Sequence, residues 1–316
     1  MKKLLIVLAC LLMLVGCAGE DDSQKIKVGV VQLLKHNALD KATEGFVDVL
    51  KEEFGDNIDI DIQYAAGELG NCTVIANTFI AEDVDLILAN ATPALQAAAN
   101  ATSTIPVLGT SVTEYGVALN LKDYNGTVGG NVSGTSDLAP LKEQAKMIVD
   151  LFPEAKTVGL LYCNGEANSK YQVDEVEKFV KEMGLEAKVY SFSTTNELSA
   201  TVEKACSVID VLYIPTDNVC ADNGTIIANA AQDANVPVIT GEVGTCESCQ
   251  GVATFSIDYY ELGRTTGQMA VKILKGEADI STMPIEYYAN PLKEYSKVMA
   301  EKYGAVIPSD YVELGE

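Results

Sequence analysis

Five short clusters of small polar residues each follow a run of apolar or β-branched residues: Asn90-Ala91-Thr92-Pro93, Gly109-Thr110-Ser111-Val112-Thr113, Asn164 to Ser169, Pro215-Thr216-Asp217-Asn218 and Gly241-Glu242. Such residues hold a molecule rather than cut it. Hydroxyls and the free N–H groups that open a helix suit an anion, and the carboxylates of Glu166, Asp217 and Glu242 suit a cation. Catalysis has no comparable constellation. The chain carries one histidine, His36, no Gly-x-Ser-x-Gly elbow and no phosphate-loop motif, so no base stands beside a nucleophile and no enzymatic activity is expected. Cys246-Glu247-Ser248-Cys249 has the spacing of a redox pair or half a zinc site, but no second C-x-x-C accompanies it. A loop disulfide or two free thiols is the expectation, with no metal and no cofactor.

The elements that would position these clusters alternate along the chain. Strands are expected at Ile26 to Gln32, Ile58 to Tyr64, Asp85 to Ala89 and Ile105 to Gly109, with helices from Ala38 to Phe54, Cys72 to Ala81 and Pro93 to Ala101 between them. In the first helix, Leu39, Thr43, Phe46, Val47, Leu50 and Phe54 share one face. Beyond a glycine-rich link (Gly126 to Gly134) the pattern repeats, with a helix at Pro140 to Leu151 and strands at Thr157 to Tyr162, Glu186 to Phe192, Val208 to Ile214 and Val236 to Thr240. Near-continuous apolar strands such as Val158 to Tyr162 belong to parallel sheets buried on both faces. The expected architecture is α/β, in two similar lobes. In open sheets of this kind ligands sit beyond the carboxyl ends of the strands, where all five clusters lie.

The start of the chain has the order of an export signal: Lys2 and Lys3, an apolar run from Leu4 to Val15, then Gly16-Cys17. The small residue before a cysteine resembles a lipobox, so residues 1–16 read as a lipoprotein signal peptide, Cys17 as the lipidated first residue, and 17–24 as a flexible tether. No later run is long enough to span a bilayer. A formal net charge of -23 makes nucleic acid an unfavourable partner. Six Asn-x-Ser/Thr sequons, at Asn71, Asn90, Asn100, Asn125, Asn131 and Asn223, read as chance beside a bacterial signal.

Several stretches, in order, resemble ABC-transporter substrate-binding lipoproteins of the tryptophan/tyrosine-binding type: Val28-Gly29-Val30-Val31-Gln32 with His36, Leu39-Asp40 and Glu44-Gly45-Phe46; Ala91-Thr92-Pro93-Ala94; Asn131 to Asp137; Gly165 to Ser169; Pro215 to Asn218; Asp258 to Gly263; and Lys272 to Gly276. The family's usual Thr-Asp-Pro is replaced by Thr113-Glu114-Tyr115. The resemblance implies a type I periplasmic-binding-protein fold, two Rossmann-like lobes joined by three crossovers and closing by hinge bending. The N-terminal lobe would comprise 25–133 plus 257–285, and the C-terminal lobe 134–256 plus 286–316 with a terminal helix near Pro291 to Tyr303. It also implies an aromatic amino-acid ligand handed to an ABC permease and its ATPase, at the extracytoplasmic face of a membrane reached through the lipid on Cys17. A surface adhesin, a sensory receptor, or transport of a non-aromatic ligand are the alternatives.

For a zwitterionic ligand the candidate contacts are His36, Thr92, Pro93, Ser111, Thr113, Glu166, Asn168, Ser169, Asp217, Asn218 and Glu242. Asn168-Ser169 and Thr92-Pro93 would offer helix N-termini to the carboxylate, and Asp217 is favoured for the ammonium. Asp217-Asn218 and Asn168-Ser169 are equally common as caps and turns. His36 either lines the cleft mouth or is solvated in its loop. Tyr115, Tyr162 and Tyr213 either stack on the ligand or pack in the core. Of Tyr259 and Tyr260 one is expected inward and one exposed, and the single arginine, Arg264, is expected to stay off the ligand carboxylate unless it points inward.

Overall fold

A computed structural model describes residues 25–315, so the signal peptide, the tether and Cys17 lie outside the described residues. The first part of the chain alternates β1 (Ile26–Gln32), α1 (Asn37–Phe54), β2 (Ile58–Tyr64), α2 (Leu69–Ala81), β3 (Leu86–Asn90), α3 (Thr92–Ala101), β4 (Val107–Val112), α4 (Tyr115–Ala118) and β5 (Val132–Ser136). The second part runs α5 (Leu141–Leu151), β6 (Thr157–Cys163), α6 (Ala167–Glu182), β7 (Glu186–Phe192), α7 (Thr195–Cys206), β8 (Val211–Ile214), α8 (Asn218–Asp222), α9 (Gly224–Asp233), β9 (Val238–Thr240), α10 (Val243–Ser248) and β10 (Ala253–Ser256). The chain closes with α11 (Tyr259–Leu274), β11 (Glu286–Tyr287), β12 (Leu292–Tyr295), α12 (Lys297–Tyr303) and β13 (Val312–Glu313).

These strands form two sheets. Sheet one has the order β11-β5-β4-β3-β1-β2 with parallel pairing throughout. Sheet two has the order β13-β12-β10-β9-β8-β6-β7 and is parallel except where β12 runs antiparallel to β10. Along β1, Val28 and Val30 face α1 and α11, while Val31 faces the α2 and α3 side, as period-two alternation requires of a sheet covered on both faces.

The first strand pair and β7 have the expected bounds, but β5, β10 and the last strands do not announce themselves. The expected glycine-rich link at Gly126 to Gly134 contains the start of β5, whose residues Val-Ser-Gly-Thr-Ser are all buried. Hydroxyl pairing replaces apolar contact there: Thr135 Oγ1 lies 2.7 Å from Thr266 Oγ1, and Ser136 Oγ donates to the Thr113 carbonyl at 2.8 Å. The expected terminal helix at Pro291 to Tyr303 is helical only over Lys297–Tyr303, because Leu292–Tyr295 completes sheet two against β10. Since β5 reaches Ser136 and β11 joins sheet one, the chain passes between the sheets at 137–140, 257–258 and 288–291. A small apolar cluster ties these passages together: Ala139, Ile257, Tyr259 and Leu262 pack with Ala38 and Ala42 of α1, and Tyr288 rests against them.

Helices α1 and α11 pack side by side in the same direction, Ala42 against Gly263, Gly45 against Tyr260 and Val49 against Gly267. Both N-termini therefore point toward sheet two, α1 after His36 and α11 with Tyr259. The approach depends on absent side chains: a Cβ on Gly45 would overlap the Tyr260 carbonyl, and one on Gly263 the Ala42 carbonyl. Backbone cannot yield as a flexible side chain can. Gly263→Val is expected to cost about 3 kcal/mol or more of unfolding free energy in urea titration, against near-neutrality for a substitution at exposed Gly276 that restores a positive-φ residue such as Asn.

Candidate functional site

The carboxyl ends of both sheets meet at a narrow chamber lined from sheet one by His36, Ala38, Leu39, Ser111 and Thr113, from sheet two by Asn168, Thr216, Asp217, Asn218, Ala221, Glu242 and Thr245, and from the crossing segments by Asp137 and Tyr259. It leaves about 10 Å³ of water-accessible space, room for about one water. A wider groove of about 870 Å³, lined by Pro93, Glu166, Tyr64 and Val219 among others, opens between the lobes on the same side.

Ser111 is placed by a break in sheet register: the pairing of β4 with β5 shifts between Gly109 and Val112. Ser111 adopts φ 53, an unusual value for a residue with a side chain, and its buried hydroxyl has no partner. Irregularities of this kind re-aim a side chain at the end of a strand. Thr113 is held by Ser136, whose hydroxyl donates to its carbonyl, and lies close enough to Asp137 for its hydroxyl to favour the ionised carboxylate.

Four buried acids surround the chamber, and backbone N–H groups neutralise three of them. Asp217 accepts from Cys163 N at 2.7 Å and from Cys220 N at 2.9 Å. Glu242 caps α10, accepting from Thr245 N at 2.6 Å and Thr245 Oγ1 at 2.7 Å as well as from Gly244 N. Glu166 accepts from Asn168 Nδ2 at 3.0 Å, Asn218 Nδ2 at 2.7 Å, Asn218 N at 3.1 Å and Val219 N at 3.0 Å. Burial and the neighbouring Asp217 charge nonetheless push Glu166 up, to about 7.

Asp137 differs. Its Oδ2 accepts from the Tyr259 hydroxyl at 3.1 Å, but its Oδ1 is buried without a partner. Burial raises its carboxyl to about 6 against the pull of the Thr113 and Tyr259 hydrogen bonds, with the Glu242 charge adding to the rise. Asn168 is similar: its amide N–H groups donate to Glu166, Ser169 and Thr216, leaving its buried Oδ1 free. Ser111 Oγ, Asp137 Oδ1 and Asn168 Oδ1, on three residues that line one chamber, thus have no partner within the protein.

The sequence-derived candidates divide accordingly. His36, Ser111, Thr113, Asn168, Asp217, Asn218 and Glu242 line the chamber. Glu166 and Pro93 line the outer groove instead. Thr92 is buried in the first turn of α3 behind Ala91, and Ser169 is fully buried with its hydroxyl donating to the Thr216 carbonyl at 3.3 Å, so both lie outside the chamber lining. Tyr115 and Tyr213 are core residues whose hydroxyls donate to the Thr135 carbonyl and Gln144, and Tyr162 lies in the core of sheet two. Tyr259 is buried and Tyr260 half-exposed. Arg264 faces outward in a two-pronged pair with Glu52 at 3.0 and 3.1 Å. Cys246 and Cys249 are buried free thiols, and burial pushes Cys246 up to about 12, so neither is a thiolate near neutral pH.

The list of candidate contacts leaves out Asp137, Tyr259, Thr216 and Thr245, although Thr216 stands in one of the five strand-end clusters and one of Tyr259 and Tyr260 is expected inward. The signal for Asp137 was its place directly after Val132 to Ser136, which reads as a link until it is recognised as a strand ending at the cleft. Asp217, favoured from sequence for the ammonium, has both oxygens engaged by backbone. Asp217→Ala is expected to lower stability by about 2 kcal/mol in urea unfolding of the ligand-free protein, as loss of a helix cap and a buried strand contact.

A model of the ABC transporter substrate binding protein family matches residues 27–300. The Tyrosine-binding protein of Clostridioides difficile (strain R20291) is 36% identical over 291 residues, covering 86% of this chain and 83% of that protein. An ABC domain from Streptococcus pneumonia solved in complex with L-Trp is 32% identical, with a TM-score of 0.87 over 92% of this chain and 99% of that one. The ligand-free, open structure of a substrate binding protein with adhesive properties from Clostridium difficile is 36% identical over 91% of this chain and 99% of that one, yet its TM-score is only 0.69. The more similar sequence of these two superposes less well. The fold is that of the type I periplasmic binding proteins.

Proposed function

The chain belongs to the ABC transporter substrate-binding protein family, a family of binding proteins rather than enzymes, and from that footing we propose that it is the lipid-anchored, extracytoplasmic receptor of an ABC importer for an aromatic α-amino acid. The unpaired Asp137 Oδ1 carries the reading. A buried carboxylate oxygen with no donor, beside the free Asn168 Oδ1, asks for a group that brings several N–H donors and a positive charge, which an α-ammonium supplies. Asp137 therefore takes the ammonium, with Asn168 beside it. The carboxylate goes to Ser111 Oγ and to the first-turn N–H groups of α6, since the chamber offers no lysine or arginine. Of the ring side chains at the chamber, Tyr259 is the one that flanks an aromatic ligand. Relatives named for tyrosine and solved with L-Trp support the choice of ligand. About 10 Å³ does not admit an amino acid, so loading requires the lobes to part and to close over a wider chamber than the one seen here.

The segment from Lys2 to Cys17 supports export and lipidation at Cys17, which mass spectrometry of detergent-extracted protein checks and Cys17→Ser abolishes. Ligand recognition is tested by calorimetric titration with tyrosine, tryptophan and phenylalanine, their N-acetyl derivatives, and a panel of other amino acids, nucleosides and sugars. Tight binding of a free aromatic amino acid and none of its N-acetyl form is expected. Heat from a sugar or nucleoside alone would overturn the ligand assignment. Asp137→Asn is expected to weaken binding by roughly 30- to 1,000-fold, the cost of leaving a buried charge unpaired.

The pH dependence has a definite sign. The ammonium pairs with ionised Asp137, whose carboxyl titrates at about 6 in the free protein, so affinity is full above that value and falls as pH drops through it. Titration at successive pH values should show about a tenfold loss per unit below 6, absent in Asp137→Asn.

A further inference from the structure

His36 ends the loop after β1 and is the N-cap of α1, yet its side chain makes no cap hydrogen bond. Its backbone carbonyl accepts from Asp40 N at 2.9 Å, which secures the helix start without it. The half-buried imidazole instead crosses from sheet one to sheet two, where Nε2 stands 3.1 Å from Asn218 Oδ1. The polarity of that bond is fixed from behind: Asn218 Nδ2 donates to Glu166 Oε2 at 2.7 Å, so its carboxamide oxygen must face His36, and Nε2 must carry the hydrogen. Beside it Asn37 Nδ2 reaches Glu247 Oε2 at 3.4 Å, again between the two sheets.

We propose that His36 and Asn218 form a latch that holds the closed form, with Glu166 as the residue that positions Asn218, and that His36 acts on affinity through closure rather than through recognition of the ligand. This rests on the hinge-closing part of the reading above, not on which ligand is bound. A latch of this kind slows opening and leaves the first encounter with ligand unchanged. Its contribution is the same for every ligand the chamber accepts.

The test follows lobe closure directly, by single-molecule energy transfer between dyes on Val74→Cys in sheet one's lobe and Val208→Cys in sheet two's, both exposed sites; the native thiols described are buried. His36→Ala and Asn218→Ala are each expected to shorten the closed dwell time roughly five- to tenfold, the worth of about one hydrogen bond. The double variant is expected to be no shorter than either single one, and His36→Gln, which retains an N–H donor, to recover part of the dwell. Unchanged dwell times in His36→Ala, or single effects that multiply in the double variant, would overturn the latch. Because closing events are counted without added ligand as well as with it, the outcome stands even if no amino acid binds. If amino acids do bind, a His36→Ala loss that differs sharply between tyrosine and tryptophan would also refute it, by assigning His36 to recognition.

Discussion

The glycine-mediated contact between α1 and α11 is the constraint from which the site follows. One helix is early in the chain and the other returns to the first lobe after five strands of the second sheet, β6 to β10, have been built, yet Gly45 and Gly263 let their backbones touch. That contact sets two helix starts side by side at the cleft. The first brings His36, and the second brings Tyr259, whose hydroxyl meets Asp137 on a different crossing segment. Three passages of chain converge there on a cluster of small and aromatic side chains. The same packing that stabilises the first lobe thereby holds the crossing segments together.

Electrostatics divide the acids of the chamber into those used for building and one left for binding. Asp217, Glu242 and Glu166 sit where helices begin, and the backbone supplies the positive ends of dipoles they need. Asp137 sits on an extended crossing segment where no helix starts, and hydroxyls are its principal donors. In a chamber with no basic side chain but His36, that asymmetry is what the proposed ammonium contact rests on.

The fold was largely legible because buried parallel strands leave a strong trace: Ile26–Gln32, Ile58–Tyr64 and Glu186–Phe192 run as their residue patterns imply. Val132–Ser136 was not, because its two serines and one threonine hydrogen-bond to neighbouring elements inside the protein yet read in sequence as loop residues. That one miss also hid Asp137, the residue immediately after it. The clusters at the strand ends were visible as a set, but composition does not tell a carboxylate already satisfied by its own helix from one that is not. Asp217 and Asp137 are the same residue type, and only the backbone around them separates their roles. Likewise Tyr213 and Tyr259 are alike as letters, while one donates to Gln144 in the core and the other reaches the cleft.

The unpaired atoms of the chamber act against the latch. Closing over an empty site strands Ser111, Asp137 and Asn168 away from water, at a combined cost of several kcal/mol, whereas one bond between His36 and Asn218 returns about one. Closed and empty molecules are thus scarce, on the order of one in a hundred for a deficit of a few kcal/mol, while an occupied chamber removes the penalty and lets the same bond add to the holding time. The shape of the molecule becomes a report of its contents. A partner that reads only the closed outline would be spared unproductive encounters with empty molecules.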